Sequence, residues 1–371
     1  MRINPFKLER LQSEWEHKVR CNLSESGVHP VSIKDLLSQA EAHALPELIL
    51  GYSQTNGTEE LREKISLLYR GANPDNILVT NGTAEANFIS IWSLIEPGNE
   101  LAYMLPNYMQ IHGIAEALGA ALKTFSLRED LNWAPDMDEL KRLVTPRTKL
   151  IAVCNPNNPT GSVLSEKMMD EIVRLAGKVG AWILADEIYQ GAELEGPRTP
   201  TFWGRYDKVL AVAGLSKAYG LPGLRIGWIV GPKDFIASAW AYHDYSTITV
   251  GTISDVLARK ALEPTLRERL LDRNKGVLRE HLQLLNAWIA KNSPIFKMVQ
   301  PRAGAMAYLH YDLPINSTEF ALRLLREKSV LIVPGDCFGM DSFIRIGYGS
   351  EKSSLLTGLD LIKETVDEIS H

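Results

Sequence analysis

Beyond an N-terminal segment carrying Phe6, Leu8, Leu11 and Trp15 as apolar anchors, the chain alternates short, almost unbroken apolar runs with helical patterns through about residue 275. Unbroken runs of Ile, Val, Leu and Ala suit strands buried on both faces, and amphipathic helices between them supply the cover. The pattern therefore predicts a mainly parallel sheet in an α/β fold. Expected strands are Ile77 to Thr80, Glu100 to Met104, Leu150 to Cys154, Trp182 to Asp186, Val209 to Ala213 and Ile226 to Val230. Polar residues collect at their ends, where ligands of open α/β sheets bind. Past Glu263 the pattern shifts to long helices, Leu266 to Lys291 and Ser317 to Glu327. Short strands near Ala305 to His310, Val330 to Val333 and Phe343 to Ile346 accompany them, predicting a smaller α+β domain. The expected division is an arm with part of the small domain over 1–45, a large domain over 46–270 and a small C-terminal domain over 271–371. With no repeats and no Gly/Ser linker, the parts are expected to pack together.

The 371 residues, 45% hydrophobic and 23% charged, are enough for a large core. A formal charge of -5 gives no general reason to bind nucleic acid or an anionic membrane surface, and small soluble ligands fit better. Cys21, Cys154 and Cys337 are odd in number and lack metal-ligand spacing, so they read as reduced thiols with no metal role. The opening Met1-Arg-Ile-Asn-Pro-Phe has no apolar signal core, and no stretch reaches the roughly 20 apolar residues of a membrane span, so the expected location is cytoplasmic.

The chemistry concentrates at Ser216-Lys217, followed by Ala-Tyr-Gly-Leu-Pro-Gly-Leu-Arg225. A lysine that forms a Schiff base needs a neutral amine, which a neighbouring cation and partial desolvation favour, and Arg225 is a candidate for that cation. Asn81-Gly82-Thr83-Ala84-Glu85 comes after a strand and opens a helix, a place where backbone N–H groups and a hydroxyl suit a phosphate. Asp186 ends a strand and begins Asp-Glu-Ile-Tyr189, the position of a carboxylate that keeps a pyridine nitrogen protonated. Asn155-Pro-Asn-Asn158-Pro-Thr-Gly161 is a turn directly after another strand.

In these motifs the chain resembles the class I/II aminotransferases, fold type I pyridoxal phosphate (PLP) enzymes, and the resemblance runs from about residue 22 to 350. It implies a three-layer large domain, a smaller α+β domain, PLP as cofactor and a homodimer with shared active sites. Gly82, Thr83, Ala84, Ser216 and Arg225 would hold the phosphate, helped by Tyr52 of a neighbouring subunit. Tyr108 would stack on the ring, Asn158 and Tyr189 would contact its oxygen, and Arg345 would clamp a substrate carboxylate beside Asn158. Gly214 departs from the family, which usually has a serine three residues before the lysine.

The resemblance implies that a substrate amine displaces Lys217, which then removes the α-proton; the later steps of the reaction are open. A dicarboxylate aminotransferase is expected to carry an arginine where this chain reads Tyr242-His243-Asp244. A cationic side chain suits Asp244, or Glu9, Glu16 or Glu25, better than an acidic one. Ser26-Gly27-Val28-His29 looks like the version found in the capreomycidine and enduracididine synthases, which cyclise hydroxylated arginines. Gly27 would then line the carboxylate pocket and His29 shuttle a proton. The expected reaction is dehydrative cyclisation of a guanidino-bearing L-amino acid, with ordinary transamination as the alternative and an oxygen-dependent oxidase as another. A non-catalytic, ligand-sensing regulator is disfavoured, because no helix-turn-helix domain fits before residue 22.

Overall fold

The computed structural model describes residues 3–370, so Met1, Arg2 and His371 of the expected domain ranges lie outside the described residues. Eight strands form the large sheet: β1 (Ile77–Thr80), β2 (Glu100–Leu105), β3 (Ala121–Arg128), β4 (Ala134–Pro135), β5 (Thr148–Cys154), β6 (Trp182–Asp186), β7 (Val209–Gly214) and β8 (Gly227–Val230). Their spatial order is β1-β8-β7-β6-β5-β2-β3-β4. Neighbours from β7 to β3 run parallel, while β8 is antiparallel to both β1 and β7.

Period-two alternation splits these strands between two cores. Leu101, Tyr103, Leu150, Ala152 and Leu184 face one side with Ile89, Ile91 and Phe235 of covering helices. Ala102, Met104, Ile151, Val153 and Ile183 face the other with Met169, Ile172 and Leu175. Those last three belong to the helix Glu166–Val179, which begins where the Ser165 hydroxyl accepts from the Met168 N–H and ends at Gly180 in the left-handed region. The outcome is a helix–sheet–helix sandwich of three layers.

A second sheet, antiparallel throughout, joins Phe296–Met298, Met306–Tyr311, Phe343–Gly347 and Val333–Pro334 in that order. Cys21–Asn22 pairs in parallel with Val330–Leu331, so the N-terminal segment is tied to the C-terminal part of the chain. The strand expected over Val330 to Val333 is therefore two strands in two sheets, parted at Ile332. The helix expected over Ser317 to Glu327 is regular only over Ser317–Arg323 and widens into a π turn over Leu324–Lys328. β3 went unforeseen because one of its faces is largely exposed and its sequence ALKTFSLR has no apolar run. Trp15 is exposed; Gln12 is the buried anchor of the helix Lys7–Trp15, its Nε2 donating to the Ser24 carbonyl and hydroxyl at 3.0 Å each. Among the described residues no helix is long and apolar enough to cross a membrane.

Just past the end of β6, Glu187 is fully buried. Its Oε1 accepts from the Phe202 N–H at 2.7 Å and the Thr201 hydroxyl at 3.0 Å, while Oε2 has no partner. Burial outweighs those two bonds and raises its pKa from 4.5 to about 7. A carboxyl whose folded-state pKa is raised stabilises the fold below its unfolded value and loses that contribution as pH climbs through the folded one. Between pH 4.5 and about 7 Glu187 is expected to withdraw about 3 kcal/mol of stability, and Glu187→Gln to flatten that fall. Denaturant titrations of the cofactor-free protein at the two ends of this window check it; an equally steep fall in the variant would assign the dependence elsewhere.

Candidate active site

A cleft of about 360 Å³ opens between the N-terminal helix, the carboxyl ends of the large-sheet strands and the second sheet. A more open groove of about 1070 Å³ is lined by surface charges including Lys34, Asp35, Arg269 and Glu351, and it holds neither Lys217 nor Asp186. Chemistry belongs to the smaller space, where titratable groups converge.

At one end, the chain leaves β1 through Asn81 and Gly82 into the helix Thr83–Leu94, whose first N–H groups have no partner within the helix. Gly82 has φ 83°, and a Cβ on it would stand 2.5 Å from Arg225 Nη2. Only glycine lets the guanidinium lie against this turn. Thr83, Ala84, Ser216 and Arg225 line the cleft together, giving the helix start, two hydroxyls and a cation that a phosphate monoester needs. Gly214 fits the same crowding: a Cβ there would sit 2.7 Å from the Ile226 carbonyl oxygen and 3.1 Å from Thr83 Cγ2. No side chain enters at that position without a backbone shift, which accounts for the hydroxyl absent from the sequence.

Deeper in the cleft stands Asp186, buried at the end of β6. Its Oδ2 accepts from Asn87 Nδ2 at 3.0 Å and its Oδ1 from the Ile188 N–H at 3.2 Å. Burial raises its pKa against the pull of both donors. A carboxylate desolvated in this way gains most from a cationic N–H placed against it. Tyr189 donates its hydroxyl to Ser26 Oγ at 2.9 Å, tying the same loop to the N-terminal segment. Tyr108 lies beside Phe6, ring centroids 4.9 Å apart, and donates to Glu9 Oε1 at 2.6 Å.

Asn158 comes from the turn after β5, which is braced by Asn155 Oδ1 accepting from the Leu164 N–H at 2.9 Å and Asn157 Nδ2 donating to the Pro106 carbonyl at 3.2 Å. Arg345, only 1% exposed, donates from Nη1 to Asn158 Oδ1 at 2.8 Å and from Nη2 to the Ser24 carbonyl at 2.5 Å, while its Nε has no partner. Burial pulls this guanidinium's pKa down, and its Nε–H is a buried donor with no partner.

Lys217 directs Nζ at Glu25 Oε1, 2.5 Å away. Burial raises the Glu25 carboxyl, but the charge and hydrogen bond of Lys217, with Arg345 and the Ser26 N–H, more than reverse it and hold its pKa below the usual value. Gly27 packs alongside: a Cβ on it would meet Glu25 Oε1 at 3.3 Å and Lys217 Cδ at 3.5 Å. Three contributors escaped sequence reasoning in these roles: Gln12 under Ser24, Asn87 on Asp186, and Glu25 as the lysine's partner. Glu25 adjoins Ser26-Gly27, so the motif pointed to the neighbourhood; the Asn87–Asp186 contact spans 99 residues and left no local signal.

Three expected site residues stand apart from this chain's own cleft. His29 lines the larger groove, its Nδ1 3.3 Å from the Gly349 carbonyl and its Nε2 3.7 Å from Glu351. Asp244 is exposed outside the cleft, because Glu85 holds the turn after the helix Lys233–His243 from the other side. It accepts from the Ser246 hydroxyl at 2.5 Å and lies 3.4 Å from His243 Nε2. Tyr52 is 88% exposed and does not line the cleft.

A lysine between an anion-binding helix start and a desolvated carboxylate, at the rim of a mainly parallel sheet, marks an enzyme that works through PLP. The residues fit that group: Thr83, Ala84, Ser216 and Arg225 for its phosphate, Asp186 for its ring nitrogen, Lys217 for its aldehyde carbon. The chain belongs to the aminotransferase class I and II family, whose profile matches residues 24–360. It is similar to capreomycidine synthase of Streptomyces vinaceus, 29% identical over 96% of this chain and 92% of that one. It is also similar to aspartate aminotransferase of Thermotoga maritima, 27% identical over 84% and 82% of the two chains. Among solved structures, a PLP-dependent aminotransferase from Streptococcus suis superposes with a TM-score of 0.93 at 31% identity, covering 100% of this chain and 99% of that one. The protein is an aminotransferase-family enzyme with PLP as its cofactor.

Proposed function

We propose that the enzyme catalyses dehydrative cyclisation of a hydroxylated, guanidino-bearing L-amino acid. One observation carries this: the charge inventory of the cleft. Its cations are Lys217, Arg225 and Arg345, and each has a task, toward the cofactor carbon, its phosphate and the substrate α-carboxylate respectively. None is left for an acidic side chain. Glu9, Glu16 and Glu25 face the same space and suit a cationic one. The similarity to capreomycidine synthase supports the same choice.

Arg345, which lines the cleft, would fix the α-carboxylate, with Asn158 steadying the guanidinium. Lys217 Nζ, released once a substrate amine takes its place, would receive the α-proton. Asp186 would keep the ring nitrogen protonated, so that the bound cofactor withdraws the electron pair the proton leaves behind. Lys217 would pass the proton to a departing β-hydroxyl, which would leave as water; for a γ-hydroxyl a β-proton would also have to be taken up and later returned. The guanidine nitrogen then bonds to the side chain and its proton restores the α-carbon, a net loss of one water. Incubation with β- or γ-hydroxyarginine and no keto acid is expected to yield a product one water lighter. A substrate recovered unchanged would contradict this.

Transamination is the second reading, and the similarity to aspartate aminotransferase favours it. It requires a keto-acid acceptor and leaves the cofactor as an amine, so cofactor absorbance after adding amino acid alone separates the two. Tyr52 at 88% exposure, with Ile49 at 85% and Leu50 at 74%, supports a homodimer in which Tyr52 reaches the partner's phosphate site. Sedimentation at twice the chain mass of 41.4 kDa is expected; a monomer would contradict it. Three free cysteines, with no disulfide among them, support a cytoplasmic setting.

A further inference from the structure

The Glu25–Lys217 contact is a resting arrangement that catalysis has to break. Once Lys217 is committed to the cofactor it no longer offers Glu25 an ammonium group. The backbone beneath Glu25 is held in place. The Gly347 N–H donates to the Leu23 carbonyl at 2.7 Å, and a Cβ on Gly347 would stand 1.8 Å from the Glu25 carbonyl oxygen, so this stretch is pressed onto the Arg345 strand. The Ser26 N–H also donates to Glu25 Oε1 at 2.9 Å, fixing the carboxylate independently of the lysine. Arg345, the nearby guanidinium, is already engaged by Asn158 and Ser24. Until Lys217 takes up the α-proton, the working enzyme therefore holds a preorganised carboxylate beside the reacting lysine with no ammonium to pair with.

We infer that Glu25 exchanges occupants, holding the Lys217 ammonium before the cofactor arrives and the substrate's guanidinium during turnover. The identity of the second cation rests on the cyclase assignment. An arginine-type side chain that closes a ring onto its own carbon chain must fold its guanidinium back toward the α-carbon, and the α-carbon must lie within proton-transfer reach of Lys217 Nζ. A carboxylate bonded to that nitrogen at rest is placed for a folded guanidinium. Glu9 is already engaged by the Tyr108 hydroxyl at 2.6 Å, and Glu16 lies 3.4 Å from His17 on the N-terminal helix, so neither is free in the way Glu25 becomes.

Arginine and citrulline test the exchange, since citrulline keeps the shape and replaces the cationic nitrogen with a neutral oxygen. Titrated into holoenzyme and read calorimetrically, wild type is expected to bind arginine about tenfold more tightly than citrulline, reflecting a charge-assisted hydrogen bond. Glu25→Gln is expected to shrink that preference below about threefold while leaving citrulline affinity within about the same factor. In the cofactor-free protein, Glu25→Gln is expected to speed modification of Lys217 by an amine reagent at pH 8 by about threefold or more, because the carboxylate no longer holds the ammonium. Normal cofactor loading of the variant shows that it folds. An arginine preference that survives Glu25→Gln, or one lost instead in Glu9→Gln, would overturn the inference, as would a wild type that does not distinguish the two ligands. A wild type that prefers arginine through Glu25 yet forms no cyclic product would remove the cyclase assignment and leave the cation site standing.

Discussion

Lys217→Ala is expected to abolish the yellow absorbance of lysine-bound cofactor and to lower turnover of any amino-acid substrate by about 10³-fold or more, since nucleophile and proton acceptor are lost together. The cleft offers no substitute. Its remaining cations, Arg225 and Arg345, carry guanidinium groups, which offer no amine to replace the lysine. Thr83, Ala84, Ser216 and Arg225, the candidate phosphate group, would bind it without Nζ, so the variant is expected to retain cofactor without the colour. Absorbance spectra of the purified variant with added PLP, together with single-turnover rates, check both parts. A variant that keeps the band would place the imine on another lysine.

Asp186→Asn is expected to cost on the order of 10²–10⁴ in turnover, with far less effect on cofactor affinity. The amide preserves size: its oxygen can still accept from the Ile188 N–H, which meets the carboxylate at 3.2 Å, and its NH2 can donate to the unpartnered Asn87 Oδ1 once that amide turns over. What it lacks is the negative charge that holds a proton on the ring nitrogen, and the buried setting amplifies that loss because little water screens it. Comparing kcat with the cofactor dissociation constant distinguishes this from collapse of the site: a large fall in kcat at unchanged affinity is expected. Equal losses in both would show Asp186 to be a cofactor-binding residue alone.

Much of the sheet was legible because each of its central strands is a buried apolar run ending in a polar residue. Asp186, Asn155 and Gly214 stand at or just past such ends, and Ser216-Lys217 comes directly after the third of them. Local order also placed the phosphate turn, since Gly82 and Thr83 sit where a strand hands over to a helix. Contacts between distant segments were not legible. Glu25 meets Lys217 across 192 residues and Gln12 meets Ser24 through a helix whose sequence shows only an amphipathic face, so no spacing rule applied. His29 and Asp244 show the converse limit. His29 lies three residues from Ser26, which does line the cleft, yet its side chain lines the neighbouring groove, and Asp244 is exposed.

Borohydride reduction of the PLP-loaded protein, then peptide mass mapping, addresses the central claim most directly, because it freezes the cofactor onto whichever amine holds it. One phosphopyridoxyl group per chain, on the peptide containing Ser216-Lys217, is the result expected. Modification confined to another lysine, or a protein that takes up no cofactor at all, would contradict the account.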